Sequence, residues 1–195
     1  RYQSMERRKK ASVPMASLVG YTNAGKSTLF NALSDAKVEA EDQLFSTLDP
    51  VTRRVRLPSG QEILLTDTVG FIQKLSPTVV AAFRATLEEL TESDILLHII
   101  DVTHPKVAEQ TEVVEETLSD LNLLDKPRIL VLNKMDLLEA DTGQTDLSLL
   151  PGSETLDSVM ISGAKGWNLD NLLQQIESGL IGIDGPLSFV HPNGR

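Results

Sequence analysis

The 195-residue chain contains no cysteine, three histidines and few aromatic residues. The lack of cysteine excludes disulfides, thiolate metal sites and thiol nucleophiles. The histidines at 98, 104 and 191 have no metal-ligand spacing, and His98 is predicted to be a strand residue with a satisfied ring rather than a catalytic base. No apolar run reaches the roughly 18 residues of a membrane-spanning helix, so no membrane partner is expected.

Positive charge is scarce, since 18 Lys and Arg face 28 Asp and Glu, a net charge of −10. This balance argues against broad nucleic-acid binding, and no sequence-specific DNA partner is expected. The basic residues form two clusters, at 7–10 and at Arg53, Arg54 and Arg56. Their ordinary interpretations are a solvated helix end and protection of an edge strand. The 41% hydrophobic content suits one core, so a single domain and a monomer are expected.

Residues 20–27 match the phosphate-binding pattern G-x-x-x-x-G-K-[ST]. Residues 15–19 before them are predicted to form a buried strand, and residues 26–33 a helix. In this setting backbone amides and the helix N-terminus cradle phosphates, Lys26 reaches the β and γ phosphates, and Ser27 binds Mg²⁺. The predicted nucleotide contacts of this P-loop are Gly20, Tyr21, Thr22, Asn23, Ala24, Gly25, Lys26, Ser27 and Thr28.

The sequence Asn133-Lys134-Met135-Asp136 follows a second predicted strand, residues 128–132, and predicts a guanine site. The Asp136 carboxylate can accept hydrogen bonds from N1 and N2 of guanine, which adenine cannot donate as a pair. Lys134 is expected to lay its stem along the base, and Asn133 to tie this loop to the P-loop. An ATPase is therefore the poorest fit.

Three further segments complete the predicted site. Asp67 is expected to support Mg²⁺ through a water, and the Gly70 amide to bond the γ-phosphate. Thr47 is predicted to give its hydroxyl to Mg²⁺. Backbone amides after the strand at 158–161 are expected to bond the guanine carbonyl. The residues of these segments are Phe45, Ser46, Thr47, Leu48 and Asp49; Asp67, Thr68, Val69 and Gly70; and Ser162, Gly163 and Ala164.

With these motifs in order, the chain resembles the translation-factor-like GTPases, and within them the HflX family. The resemblance extends over residues 7–180 and is carried by GYTNAGKSTLFN at 20–31, FSTLDP at 45–50, DTVGFIQKL at 67–75 and VAAFRATLEEL at 80–90. It implies a Mg²⁺-dependent GTPase that binds the large ribosomal subunit and helps to split or rescue stalled ribosomes. It also adds contact with ribosomal RNA as an alternative for the two basic clusters.

Two positions bear on the mechanism. Many small GTPases carry a water-orienting glutamine where this chain has Phe71, so hydrolysis is expected to be slow alone and stimulated by a partner. Phe71 as a core anchor is the ordinary interpretation, and both can hold. Asn23 resembles GTPases that use K⁺ in place of an arginine finger, and its ordinary interpretation is a residue that stabilises a tight turn. K⁺ therefore stays open as a second cofactor.

Alternating strands and helices predict an α/β fold: a P-loop NTPase with a doubly wound, mostly parallel sheet and one antiparallel edge strand, as in Ras-like G domains. Residues 51–57 and 62–67 are predicted to pair as a hairpin, and strands are predicted at 95–101, 128–132 and 158–161. Residues 141–157 are predicted to be a loop. The predicted core stripes of three helices are Val79, Phe83, Leu87 and Leu90; Val107, Val114, Leu118 and Leu121; and Leu169, Leu172, Ile176 and Leu180.

The chain begins at an arginine and is expected to be a fragment. Residues 1–12 are interpreted as the basic end of a preceding helical linker, 13–182 as the GTPase domain, and 183–195 as a tail or the start of a further domain. The expected location is the cytoplasm, with membrane or ribosome association and an organelle left open. Two rival functions stay open: a guanine-nucleotide-controlled binding module with negligible hydrolysis, and a K⁺-stimulated GTPase of tRNA modification or another RNA process.

Overall fold

In the computed structural model, the residues described are 13–34, 51–68, 70, 90–138 and 156–184, with backbone alone for 182–184. Within them six strands form one sheet in the order β2-β3-β1-β4-β5-β6. The strands are β1 (Met15–Gly20), β2 (Val51–Arg56), β3 (Glu62–Asp67), β4 (Ile95–Asp101), β5 (Arg128–Asn133) and β6 (Asp157–Met160). The helices described are α1 (Lys26–Ser34), α2 (Val107–Asp120) and α3 (Leu169–Asp184).

All strand pairs are parallel except β2 with β3, which form the predicted hairpin and place β2 at the edge of the sheet. The turn between them is held by the Leu57 amide, which donates to the Gln61 carbonyl at 2.8 Å. The predicted fold class is confirmed. Strand bounds differ from the prediction by one residue at several ends.

Helices cover both faces of the sheet because the central strands are apolar on both sides. On one face, Leu29 and Phe30 of α1 pack on β1, β2 and β3, and Leu172 and Ile176 of α3 pack on β4, β5 and β6. On the other face, α2 packs Val114 and Leu118 against β1 and β4. The predicted stripes of α2 and α3 are buried, except that Leu121 and Leu169 are half-buried. Of the stripe from Val79 to Leu90, only Leu90 lies among the described residues, and it is buried.

His98 is a buried residue of β4 on the α2 face, as predicted. Nδ1 of its ring departs from the expected satisfied state, because it lies 3.4 Å from Glu115 Oε1, longer than a good hydrogen bond. Glu115 instead accepts two short bonds from Arg128, at 2.7 and 2.8 Å. Burial lowers the pKa of His98, with Glu115 opposing it, so the ring is neutral and structural.

The parallel strands matter for function because their carboxyl ends meet at one edge of the sheet. At that edge Gly20, Asp67, Asp101 and Asn133 end β1, β3, β4 and β5. β1 lies between β3 and β4, and the strand order changes direction at this position. In open α/β sheets, ligands bind in the crevice at the carboxyl ends of the strands at such a position. No helix in the described part of the chain is long and apolar enough to cross a bilayer.

Candidate functional site

The P-loop connects β1 to α1 and depends on two glycines with positive φ. Gly20 has φ 155° and Gly25 has φ 99°. A Cβ on Gly20 would collide with the Ile99 carbonyl oxygen, and one on Gly25 with the Asn133 amide nitrogen. No other residue type fits at either position without moving backbone or a buried side chain. The loop therefore takes the tight path that turns its amides toward the start of α1.

Lys26 is buried in the mouth of this loop, with only 6% of the residue exposed. Its Nζ donates to the carbonyl oxygens of Gly20 at 3.2 Å and Tyr21 at 3.1 Å. Burial lowers its pKa from 10.5 to about 8, and the negative charge of Asp67 acts in the opposite direction. The ammonium is thus only partly compensated by protein groups, and a site of this kind favours an added anion.

Ser27 and Asp67 lie together beside the P-loop. The Ser27 hydroxyl donates to Asp67 Oδ2 at 2.6 Å, and both residues are buried. The next residue, Thr68, donates its hydroxyl to the Leu18 carbonyl at 2.5 Å, which fixes the end of β3 on β1. The two oxygen groups predicted to serve a metal from distant parts of the sequence are therefore neighbours in space.

Gly70 lies against the P-loop at the point predicted to sense the γ-phosphate. A Cβ on Gly70 would stand 2.8 Å from Thr22 Cα and 3.1 Å from Lys26 Nζ. Only a glycine brings its backbone this close to both groups without displacing them. Its neighbours Val69 and Phe71 lie outside the described residues.

Asn133 joins three loops through one buried side chain. Its Nδ2 donates to the Ala24 carbonyl of the P-loop at 2.9 Å, and its Oδ1 accepts from the Gly163 amide at 3.0 Å. The tie to the P-loop is the one expected from the sequence; the tie to Gly163 is an addition. A carboxamide is required because one end must donate and the other accept.

Replacing Asn133 with alanine is expected to destabilise the nucleotide-free chain by about 2–4 kcal/mol, because two buried backbone groups lose their partners. Urea unfolding measures this change. The matched control is Gln174→Ala, which removes an exposed carboxamide from α3 and is expected to shift stability by less than about 0.5 kcal/mol. Equal effects of the two substitutions would contradict a structural tie through Asn133.

The loops after β5 and β6 lie side by side. The Met135 amide donates to the Ile161 carbonyl at 3.1 Å, and Ser162 and Trp167 exchange two backbone hydrogen bonds that close the second loop. Asp136 is half-exposed in the turn Met135–Leu137. Ser162 and Gly163 are buried, whereas Ala164 is exposed. The predicted base-recognition groups therefore lie in two neighbouring loops.

The other P-loop side chains are less constrained. Asn23 is exposed and has φ 60°, a left-handed conformation that asparagine tolerates better than most residues. This conformation agrees with its interpretation as a turn residue. Thr22 and Thr28 are half-buried, and Ala24 is buried.

Some predicted site residues lie outside the described residues: Phe45, Ser46, Thr47, Leu48, Asp49, Val69 and Phe71. The remaining predicted residues lie at the carboxyl ends of β1, β3 and β5, in the loops that follow β1, β3, β5 and β6, and in the first turn of α1. The sequence analysis missed Asp101, which contacts Lys134. The available signal was an acidic residue directly after the apolar run of β4.

Sequence comparison identifies relatives over nearly the whole chain. A profile of the family described as "50S ribosome-binding GTPase" matches residues 15–134. The "GTPase HflX" of Caldanaerobacter subterraneus is 49% identical over 187 residues, which is 96% of this chain and 41% of that protein. That of Lacrimispora saccharolytica is 49% identical over 173 residues, 89% of this chain and 40% of that protein. The chain thus spans about two fifths of the length of these curated relatives.

A solved structure with the same fold also carries a ligand. The GTP-binding protein of Sulfolobus solfataricus in complex with GDP matches with a TM-score of 0.71 and 30% identity. The match covers 93% of this chain and 57% of that protein. The bound GDP is a property of the Sulfolobus solfataricus protein.

Proposed function

The chain belongs to the family of 50S ribosome-binding GTPases and has HflX GTPases as relatives, and from this premise we propose that it is the Mg²⁺-dependent GTP-hydrolysing domain of an HflX-like factor. The observation that carries the proposal is the Asn133 side chain, which ties the P-loop to the loop at Gly163. A phosphate site and a base site held in fixed relation suit one nucleotide that spans both. In the proposed factor, the nucleotide controls binding to the large ribosomal subunit during splitting or rescue.

The base selected is guanine. Asp136 accepts hydrogen bonds from N1 and N2, and the Lys134 stem covers one face of the ring. The Ser162 amide already donates to the Trp167 carbonyl and the Gly163 amide to Asn133 Oδ1, so in the proposal the Ala164 amide bonds the carbonyl at position 6 of the base. Adenine would leave the Asp136 carboxylate unpaired in a partly desolvated pocket.

The residues present fit a magnesium ion. Ser27 offers a hydroxyl and Asp67 a carboxylate, and these hard oxygen donors, 2.6 Å apart, suit Mg²⁺. Among the described residues no group of three or more His, Cys, Asp or Glu gathers as a metal site, and Mg²⁺ in nucleotide sites needs few protein ligands. In the proposal Ser27 and Thr47 hold the ion, Asp67 supports it through water, and the ion offsets charge on the phosphates.

Hydrolysis in this site relies on positioning and electrostatics. Lys26 and the P-loop amides stabilise the negative charge that develops between the β and γ phosphates. Gly70 offers its amide to the γ-phosphate and so couples the loop after β3 to the presence of that phosphate. Phe71 cannot orient the attacking water. The chain therefore hydrolyses slowly until a partner completes the site.

The test is steady-state GTP hydrolysis by the chain with large or small ribosomal subunits, at fixed salt and in K⁺ or Na⁺. The full-length Caldanaerobacter relative serves as reference. Stimulation of at least about tenfold by large subunits alone is expected, since a group supplied by a partner commonly accelerates such sites far more.

Other outcomes contradict parts of the proposal. Tight GDP binding without turnover under any condition would favour a guanine-nucleotide-controlled binding module. Stimulation by K⁺ without any response to large subunits would favour a GTPase of another RNA process, and would assign Asn23 a role with that ion. Equal stimulation by both subunits would contradict recognition of the large subunit.

A further inference from the structure

Asp101 ends β4 and makes contacts with both of its carboxylate oxygens. Oδ1 accepts from the Thr103 amide at 3.0 Å and from the Thr103 hydroxyl at 2.6 Å. Oδ2 lies 2.7 Å from Lys134 Nζ. Because Oδ1 is anchored to the backbone at Thr103, the carboxylate has a fixed direction and Oδ2 presents a fixed charge to the lysine.

Lys134 is held at both of its ends. Its backbone has φ 68°, a left-handed conformation that costs a non-glycine residue about 1–2 kcal/mol. The pairing of Asp101 with Asn133 across β4 and β5, and the bond from the Val102 amide to the Asn133 carbonyl at 3.2 Å, set the distance between the two strand ends. The ion pair then fixes the ammonium, so the four-carbon stem between the two ends has little freedom.

The ion pair is partly sheltered from water. The Asp101 side chain is 11% exposed and that of Lys134 is 30% exposed. Exposed ion pairs are screened and contribute little, but a sheltered pair with a backbone-anchored carboxylate holds its geometry better. By contrast, the pair of Lys106 with Glu109 is about two-thirds exposed on both sides.

We propose that Asp101 is a positioning residue for guanine-nucleotide binding: it orders Lys134 before the nucleotide arrives, so that the lysine stem forms a ready face of the base pocket. The proposal rests on the proposed function, since it requires Lys134 to cover a guanine. Asp101 acts through Lys134 and makes no contact with the nucleotide. Immobilising one long side chain in advance is worth roughly 3- to 10-fold in affinity.

The test is a double-mutant cycle on GDP affinity, measured by calorimetry at constant salt and Mg²⁺. Asp101→Asn keeps an oxygen for Thr103 but removes the charge; Lys134→Met removes the ammonium but keeps an apolar stem. Asp101→Asn is expected to weaken GDP roughly 3- to 10-fold in the parent chain. In the Lys134→Met background the same substitution is expected to have no effect, because the ammonium through which Asp101 acts has been removed.

Two further measurements separate positioning from damage to the fold. Inosine diphosphate lacks the 2-amino group but has the same ring faces, so Asp101→Asn is expected to weaken it by the same factor as GDP. Asp125→Asn, an exposed aspartate in the turn before β5, makes the same change in net charge and is expected to leave affinity unchanged. Thr103→Val, which loosens Asp101 and retains its charge, is a milder variant expected to weaken GDP by about 2-fold.

The outcomes distinguish this inference from the proposed function. A loss caused by Asp101→Asn that persists in the Lys134→Met background, or no loss in the parent chain, overturns the positioning role. If Lys134→Met and Asp136→Asn both leave GDP binding unchanged, the guanine site itself is misassigned. A loss confined to chains that retain Lys134, equal for both nucleotides, supports Asp101 as the positioning residue.

Discussion

Replacing Asp136 with asparagine is expected to weaken GDP by roughly 100- to 10,000-fold and to make xanthosine diphosphate the preferred ligand. In the proposed function the carboxylate accepts two hydrogen bonds from guanine, and bonds to a charged group contribute about 1.5–3 kcal/mol each. Xanthine replaces the 2-amino donor by a carbonyl, which the new amide can satisfy by donating its own hydrogen. Competition between GDP, XDP and ADP for one fluorescent nucleotide measures the change.

The control is the unfolding of the nucleotide-free variant, which is expected to match the parent. Asp136 is half-exposed in the turn after β5, so the loss of its charge should change stability by less than about 0.5 kcal/mol. Equal weakening of GDP and XDP would contradict base recognition by this side chain. A variant that gains ADP binding would contradict it as well.

The parts of this site that were predictable from the sequence are those that depend on residues close together in the chain. Gly20 and Gly25 could be identified because the P-loop needs backbone shapes that few residues adopt, and the structure has positive φ at both. The hairpin of β2 and β3 was predictable because two strand-like segments, 51–57 and 62–67, are separated by a short turn. Buried apolar strands, each followed by polar residues, indicated that the loops lie at one sheet edge.

The contacts that the sequence did not reveal depend on how neighbouring strands align in the folded sheet. The contact of Asp101 with Lys134 exists because β4 and β5 pair in parallel with Asp101 beside Asn133. No local pattern specifies that register. The backbone at position 134 is left-handed, but the residue there is a lysine rather than the glycine or asparagine that would have predicted this conformation. The depth at which Lys26 is buried likewise emerges only once β1, β3 and α1 are packed together.

Burial of Lys26 leads to a prediction in which stability and function change in opposite directions. Lys26→Met is expected to lower GTP turnover at least about 100-fold, because a positive charge aimed at the developing phosphate charge is lost. In the nucleotide-free chain without Mg²⁺, the same substitution is expected to raise the free energy of unfolding at pH 7 by about 1 kcal/mol. Urea unfolding and a turnover assay measure the two effects.

The size of the stability gain follows from two opposing contributions. A pKa lowered from 10.5 to about 8 means that the charged lysine costs the folded state about 3 kcal/mol at pH 7. Methionine removes that cost. It also leaves the carbonyl oxygens of Gly20 and Tyr21 without their bonds from Nζ, at about 1 kcal/mol each. The net gain is therefore small, but its sign is unusual for the loss of a buried hydrogen-bonding group.

The pH dependence of this gain isolates the lysine charge. Below about pH 8 Lys26 is protonated in both folded and unfolded chains, so its cost is constant. Between about pH 8 and 10.5 the folded chain releases the proton first, so the parent gains about 3 kcal/mol relative to Lys26→Met, whose advantage vanishes and reverses. Other titrating groups cancel in the difference between the two chains. A difference that stays constant over this range would contradict an only partly compensated charge at Lys26. With that charge present at neutral pH, Lys26 destabilises the nucleotide-free P-loop, and the phosphates of the proposed nucleotide would offset this cost on binding.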